Sequence, residues 1–282
     1  GNFSMVLESV LGVLVLYKCS LRESETFTSL SKALVGTSRR FDLLVYDNSP
    51  IADGEVEKIV CENLNITYRH DSSNPGLSKA YNLALEEGNA NNKQWLLLLD
   101  QDTHITGELI KTVSEKANER ADYVSIIPTI YSKEKLVSPT RYDFLGRMKP
   151  IGQDEINRVH ENITAINSGA CLAISFLNQI NGFSEKFPLD MLDHWLYLEI
   201  KKRKEKVFVS SCNIQHKLSV SDFNTLSIGR YRNILKAEKT FYSIHSKKYL
   251  KYIFKARLLF RSILFLVSGR FNFMLANLKN IR

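Results

Sequence analysis

Two carboxylates one residue apart, Asp100 and Asp102, follow the unbroken apolar run Trp95-Leu96-Leu97-Leu98-Leu99. In an extended chain the side chains at i and i+2 project to one side. That spacing suits a hard divalent cation shared with a phosphate-bearing ligand. A plainer reading ends a strand at Asp100 and has Asp102 cap the next helix, which accounts for either residue alone. The apolar run reads as a fully buried strand delivering both acids to the carboxyl edge of a sheet, where open α/β sheets bind their ligands.

Other residues could share that edge. The segment 41–46 reads as a strand ending in Asp47-Asn48-Ser49-Pro50, which offers a carboxylate, an amide and a hydroxyl where a nucleotide would lie, although the same residues are ordinary turn formers. Asn74-Pro75-Gly76 leads into a helix over 77–87 whose first turn is expected to present free amides and Lys79 to an anion; a plain loop and capped helix is the competing reading. Asp193 falls near the start of a helix over 193–204, as a reactive acid or as an N-cap. His216 follows a strand over 206–210 beside a polar loop. His70, His104, His160, His194 and His245 have no comparable pattern around them.

The elements that must hold these groups follow from periodicity. Residues 11–17 read as a central strand with Tyr17 and Lys18 at its carboxyl end, followed by a helix over 26–35 that stops at Gly36. A helix near 56–61 and a strand over 66–69 come next. Four strands alternating with helices over the first hundred residues give an α/β fold, a parallel sheet with helices on both faces. A polar-faced helix over 107–119 and a strand over 122–128 extend it. Residues 129–161, punctuated by Pro139, Gly146, Pro150 and Gly152, lose periodicity and are expected to form an acceptor-side insertion or lid. A small-residue strand over 167–175 resumes the sheet.

At 282 residues and 44% hydrophobic content, the chain can form one large α/β domain with an appendage. The net charge of +8 is unevenly spread: residues 201–282 hold nineteen Lys/Arg against three acids, whereas the first 200 residues carry a net −8. A basic module on a mildly acidic body points to an anionic partner for the tail. No nucleic-acid module is visible, and the absence of GxxxxGK[ST] excludes a P-loop NTPase. Cys19, Cys61, Cys171 and Cys212 show neither CxxC nor zinc spacing and read as reduced thiols of a cytosolic protein. Gly1-Asn2-Phe3-Ser4 before Met5 reads as an expression scar with no cleavable leader after it, so the sequons at Asn65 and Asn162 are expected to be coincidental. From residue 226 the pattern is helical, with aromatics and bases mixed over 249–261. The longest charge-free apolar run there, 262–268, falls well short of the ~20 residues needed to span a bilayer. The tail is therefore expected to lie on an anionic membrane surface or to pack on the body or on a second copy as a homo-oligomer.

Taken in order, Val15-Leu16-Tyr17, Val45-Tyr46-Asp47-Asn48-Ser49, Asn74-Pro75-Gly76, Leu97-Leu98-Leu99-Asp100-Gln101-Asp102, Asn167-Ser168-Gly169, Gly182-Phe183 and Leu192-Asp193-His194-Trp195 resemble the family 2 inverting glycosyltransferases. Among these the sequence looks like the bacterial rhamnosyltransferase-like enzymes of surface polysaccharide synthesis, in which an Asp-Gln-Asp form of the Asp-x-Asp motif is common. The likeness spans about residues 10–220. It implies a GT-A domain over 1–220, with a nucleotide-binding half at about 6–128 and an acceptor-side half at about 129–220, before a basic helical region over 221–282.

The resemblance further implies a nucleotide-diphosphate sugar donor, dTDP-rhamnose first and a UDP-hexose second, and a divalent cation, Mn²⁺ or Mg²⁺. By position, Tyr17 would flank the base, Asp47 would bind base or ribose, Asn74 to Gly76 would line the nucleotide, and Asp100 would lie near ribose and diphosphate. Asn48, Lys79, Gln101 and Trp195 complete the expected donor-binding set. Asp102 and His216 would hold the metal, and Asp193 would be the catalytic base. The family often places a second acid next to that base; here Leu192 precedes it and His194-Trp195 follow, so Asp190 is a rival. The acceptor implied is a growing bacterial surface glycan, carried on a polyprenyl diphosphate lipid and met at the inner face of the cell membrane. Two competitors are a phosphohydrolase with an Asp-x-Asp site and a noncatalytic nucleotide-sugar-binding protein. The first expects Asp-x-Asp-x-Thr, whereas Thr103 follows Asp102 directly and His104 stands in the threonine place.

Overall fold

The structure is a computed structural model that describes residues 7–36, 40–119, 122–216 and 225–282. Residues 1–4 and the expected domain boundary at 220/221 lie outside the described residues. Every residue of β1 (Val10–Leu16) and β4 (Trp95–Leu99) is buried, as leucine and valine runs without a polar face must be in a sheet covered on both sides. Between them come α1 (Glu25–Ala33), β2 (Phe41–Asp47), β3 (Leu64–His70) and α2 (Leu77–Ala90). The helix expected near 56–61 is a single 3₁₀ turn, Val56–Lys58, in which only Val56 is buried. One apolar contact does not repay helix nucleation.

The second half holds α3 (Gly107–Ala117), β5 (Tyr123–Ser132), β6 (Lys135–Ser138), β7 (Thr140–Tyr142), β8 (Met148–Pro150), β9 (Arg158–His160), β10 (Cys171–Ala173), α4 (Ile174–Gln179), α5 (Leu192–Lys202) and β11 (Lys206–Gln215). Residues 129–161 are thus not the structureless insertion that their composition suggests: β5 runs on to Ser132, and β6 to β9 follow. Strands of three or four residues are too short to register a period of two. The strand expected over 167–175 shrinks to the three residues of β10 and gives way to α4.

One sheet runs in the order β3-β2-β1-β4-β10-β5-β11-β9, with β6 paired to β5, while β7 and β8 form a separate ribbon. Strands β1 to β4 are mutually parallel, β10 is antiparallel to both β4 and β5, and β11 is parallel to β5. From β1 the chain builds outward through β2 and β3, then crosses to β4 on the opposite side. That reversal opens a crevice at the carboxyl ends of β1 and β4, the switch point at which such sheets take ligands. Register sets the heights: Leu14 pairs with Leu99, and Leu16 with Asp47. Tyr17, Asp47 and the Asp100 turn therefore leave the sheet along one edge.

The tail folds as α6 (Ile228–Ile244), α7 (Leu250–Val267) and α8 (Phe271–Ile281). Tyr231 joins the three: its ring meets Phe265 at 5.6 Å and Phe273 at 4.9 Å, and its hydroxyl donates to Asn277. Phe241 of α6 packs on Phe187 and His194 of the body. Tyr249 and Arg257 donate to the carbonyls of Phe144 and Leu145. Among the described residues no helix is long and apolar enough to cross a membrane. All four cysteines are free thiols.

Candidate active site

The turn after β4 is braced by α1. Ser24 Oγ donates to the Gln101 carbonyl at 2.8 Å, Thr26 Oγ1 donates to the Asp100 carbonyl and accepts from the Thr103 amide at 2.9 Å, and Ser29 Oγ accepts from Ile105 N at 2.8 Å. Three hydroxyls buried on one helix are otherwise a poor choice for a core; their partners are the backbone groups that aim Asp100 and Asp102. Gln101 ties this turn to β1, accepting from the Tyr17 amide at 2.9 Å and donating to the Tyr17 carbonyl at 3.3 Å. Its amide is thus engaged by the chain, whereas sequence reasoning had it reaching the donor.

The two acids differ in surroundings. Asp100 accepts from Thr103 Oγ1 on one oxygen, and its other oxygen lies 3.4 Å from His216 Nε2, which also meets Ser168 Oγ at 3.3 Å. The buried Nδ1 of His216 has no hydrogen-bond partner among the described residues. Asp102 is exposed and makes no hydrogen bond among the described residues. His216 therefore faces Asp100, not Asp102. Among the described residues no three His, Cys, Asp or Glu side chains converge as a metal cluster. Two carboxylates with one nearby imidazole fit instead a hard cation that completes its shell from phosphate and water, as Mg²⁺ does when bound through one or two carboxylates. Ser168 had been noticed only as part of a motif; β10 carries it beside β4, where Gly169 N donates to the Leu98 carbonyl.

At the ends of β1 and β2 a cleft of about 320 Å³ is lined by Lys18, Cys19, Asp47, Ser49 and Asp53 among others. Tyr17 is 43% exposed beside it, whereas Asp47 is 1% exposed. The Asp47 carboxylate accepts from the Tyr68 hydroxyl and from the Ser49 amide, so both of its oxygens have partners in the chain. Burial and that bond to Asp47 push the Tyr68 phenol up to about 12, which keeps it a donor. Burial first, then Asp102, Glu23, Asp47 and Asp53, hold the Cys19 thiol above its usual range; the field here is negative and suits a cation. A larger cavity of about 690 Å³ opens at the amino end of β4, near Trp95, on the edge opposite these acids.

Helix α2 does not present a free amino end. The amides of Leu77 and Ser78 donate to the Pro188 carbonyl at 2.6 and 3.3 Å, so the expected anion cradle is filled by the chain itself. Gly76 makes the approach feasible: at φ +92, an added Cβ would lie 2.3 Å from that carbonyl oxygen. Lys79 pairs with Asp71 at 3.6 Å, and Asn48 donates to the Gly76 carbonyl at 3.1 Å. Asn74 is exposed at φ +49. One turn further along α2, the Asn82 amide donates to the carbonyl and accepts from the amide of Phe183. The helix thus grips both ends of the segment leading to Asp190 and Asp193.

That segment separates the two candidate bases. Arg230 of α6 makes a two-pronged contact with both carboxylate oxygens of Asp190, one at 2.7 Å. Met191 then turns through φ +63 into α5. Asp193, its side chain 27% exposed, accepts among the described residues only from the neighbouring His194 amide, with the His194 ring 3.8 Å away. His194 in turn contacts the Tyr142 hydroxyl. The buried Tyr81 phenol is raised by burial first, then by the negative charges of Asp100 and Asp193. Trp195 is 7% exposed and belongs to the core, because the helix turns it away from the edge on which Asp193 sits. That leaves little of its ring for a donor.

The fold is GT-A, a mostly parallel sheet flanked by helices with a helical C-terminal region. The chain belongs to Glycosyl transferase family 2, whose profile matches residues 15–177, more than half of its length. In structure it is similar to S. aureus TarS (TM-score 0.53, 14% identity, over 85% of this chain and 44% of that one). It is also similar to S. aureus TarS 1-349 in complex with UDP-GlcNAc (0.51, 13%, 85% and 74%) and to the mannosyltransferase PcManGT from Pyrobaculum calidifontis in complex with GDP-Man and Mn²⁺ (0.56, 12%, 97% and 87%). At these identities the likeness is one of fold. The chain spans less than half the length of the first of these. No curated protein sequence matches it.

Proposed function

We propose that the chain transfers a sugar, with inversion, from a nucleotide diphosphate to an acceptor hydroxyl, using Asp193 as base. The observation that carries this reading is the contrast between two nearby acids: both oxygens of Asp190 are held by Arg230, while among the described residues Asp193 accepts only from the His194 amide and keeps its other oxygen open. A carboxylate bound on both oxygens by a guanidinium is a poor proton acceptor; one with an open oxygen is a good one.

Asp193 takes the proton from the acceptor hydroxyl as its oxygen bonds to the anomeric carbon, and the electron pair of the breaking bond leaves with the diphosphate. Charge spreads over the sugar ring in between, as in glycoside hydrolysis. Asp102, with Asp100 and His216 alongside, would hold a Mn²⁺ or Mg²⁺ ion, which would supply positive charge toward the departing diphosphate. Tyr17, beside the cleft at the ends of β1 and β2, flanks the base in this reading, with Asp47 among the residues that line that cleft and Asn48, Asn74 and Gly76 completing the donor-binding set. The nucleotide sugars bound by the similar structures support the donor class. The Asp-Gln-Asp motif favours dTDP-rhamnose, then a UDP-hexose. The acceptor in this reading is a growing bacterial surface glycan on a polyprenyl diphosphate lipid.

A thermal-shift screen of nucleotide sugars with Mn²⁺, followed by transfer assays on the best binder, tests this. One donor should stabilise the chain by several degrees, and only with metal. A flat response to every nucleotide sugar sinks the reading.

A further inference from the structure

Helices α7 and α8 are apolar on both faces. Phe254, Leu258, Phe265 and Phe273 are buried against α6, yet the opposite side exposes Phe260 (63%), Ile263, Val267 (83%), Phe271, Leu275 and Leu278. On α7 the spacing of Phe260, Ile263 and Val267 places them on one stripe, and Phe271, Leu275 and Leu278 do the same on α8. A surface helix of a freely soluble domain carries polar residues there, and contiguous exposed apolar surface of this kind marks an interaction site. The position differs from the sequence expectation: the apolar surface centres on 259–278, while the mixed aromatic and basic stretch from Tyr249 to Arg257 lies at its edge and partly docks on the body.

We propose that this face of the α7–α8 hairpin seats on an anionic lipid surface, lying in it without crossing. Charge selects the occupant. Residues 239–282 contain ten Lys/Arg and no Asp or Glu, and the exposed Lys279 and Arg282 lie beside the α8 stripe by helical spacing. A second copy placed on this face by a two-fold axis would set these bases against their own kind with no acid to offset them. Anionic headgroups supply the missing charge while the acyl boundary takes the aromatic and aliphatic side chains. The face is separate from Asp102 and Asp193, so it stands or falls independently of the donor and the base.

Flotation of the full chain with vesicles tests it, comparing phosphatidylcholine alone with phosphatidylcholine containing phosphatidylglycerol. The chain should float with the anionic vesicles, remain behind with the neutral ones at physiological salt, and ignore soluble glycerol phosphate as competitor. The double variant Ile263→Glu, Leu275→Glu should lose binding at least tenfold with an unchanged unfolding midpoint, since both side chains are already exposed. No flotation with anionic vesicles, or equal flotation of the double variant, overturns the proposal. So does abolition by glycerol phosphate, which would indicate a local anion pocket. A dimer in solution that the double variant splits, without vesicle binding, would assign the face to a second copy.

Discussion

Two acidic corners of this molecule are built alike, each from one engaged carboxylate and one open one. At the end of β4, Asp100 is engaged by Thr103 and His216 while Asp102 stands in solvent. Before α5, Asp190 is clamped by Arg230 while Asp193 keeps an oxygen open. The difference lies in what does the engaging. The strand corner uses a hydroxyl and an imidazole, which leave the site negative and ready for a cation. The helix corner uses a guanidinium, which neutralises one acid and leaves a single proton acceptor. In the proposed mechanism, equal charge counts would thus serve a metal at one corner and base chemistry at the other.

Substitutions can break this contrast. Asp193→Asn should lower the transfer rate by ~10²–10⁴-fold, the usual scale for a lost general base, with donor affinity kept within a few-fold. If Asp190→Asn matches that loss while Asp193→Asn transfers normally, the roles of the two acids are reversed. Asp102→Asn should weaken donor binding roughly tenfold or more with Mn²⁺, about 1.4 kcal/mol per decade, and change it little without metal. Calorimetric titration under both conditions reads this directly, and a loss equal in both would remove the cation from the strand corner. Arg230→Ala leaves the half-buried Asp190 uncompensated and should cost about 1–3 kcal/mol in urea unfolding. Adding Asp190→Asn should return part of that cost, because the stranded charge goes with it.

A smaller effect should come from the far end of α6, the helix that carries Arg230. His245 is pushed down to about 4, by burial first and then by Lys201, Lys202, Lys247 and Lys248. Its Nδ1 accepts from the Lys247 amide at 3.0 Å, which requires the neutral ring. An unfolded chain takes up a proton on this ring near 6.5, whereas the folded chain resists until about 4. Stability is therefore full above the unfolded value and declines as pH falls through that window, by on the order of 2 kcal/mol. His245→Gln should flatten the decline in denaturation curves between pH 7 and 4.5; an unchanged slope would place the acid sensitivity elsewhere.

Much of the sheet was legible because β1 and β4 are continuous apolar runs, β2 is apolar apart from Asp42 and its terminal Asp47, and acids or turn formers follow their ends. The short strands β6 to β9 were not, since three residues show no period and their pairing is set by β5 and β11, which lie far away in sequence. Among candidate site residues, those at strand ends were readable from the same punctuation. Arg230, Ser168 and the hydroxyls of α1 were not, because each acts across 40 or more residues of chain. A signal did exist for α1: Ser24, Thr26 and Ser29 interrupt its apolar face with no packing reason. The amino end of α2 misled in the opposite direction. Nothing local reveals that a proline carbonyl over a hundred residues away takes its first amides.

The close approach of Gly76 to Pro188 has a consequence for how such an enzyme can diversify. With 2.3 Å between an added Cβ and the carbonyl oxygen, the seam admits neither a side chain nor a water, so the loop bearing Asp193 is moored to the scaffold that flanks the nucleotide cleft. Remodelling that loop for a new acceptor would disturb the opposite half as well.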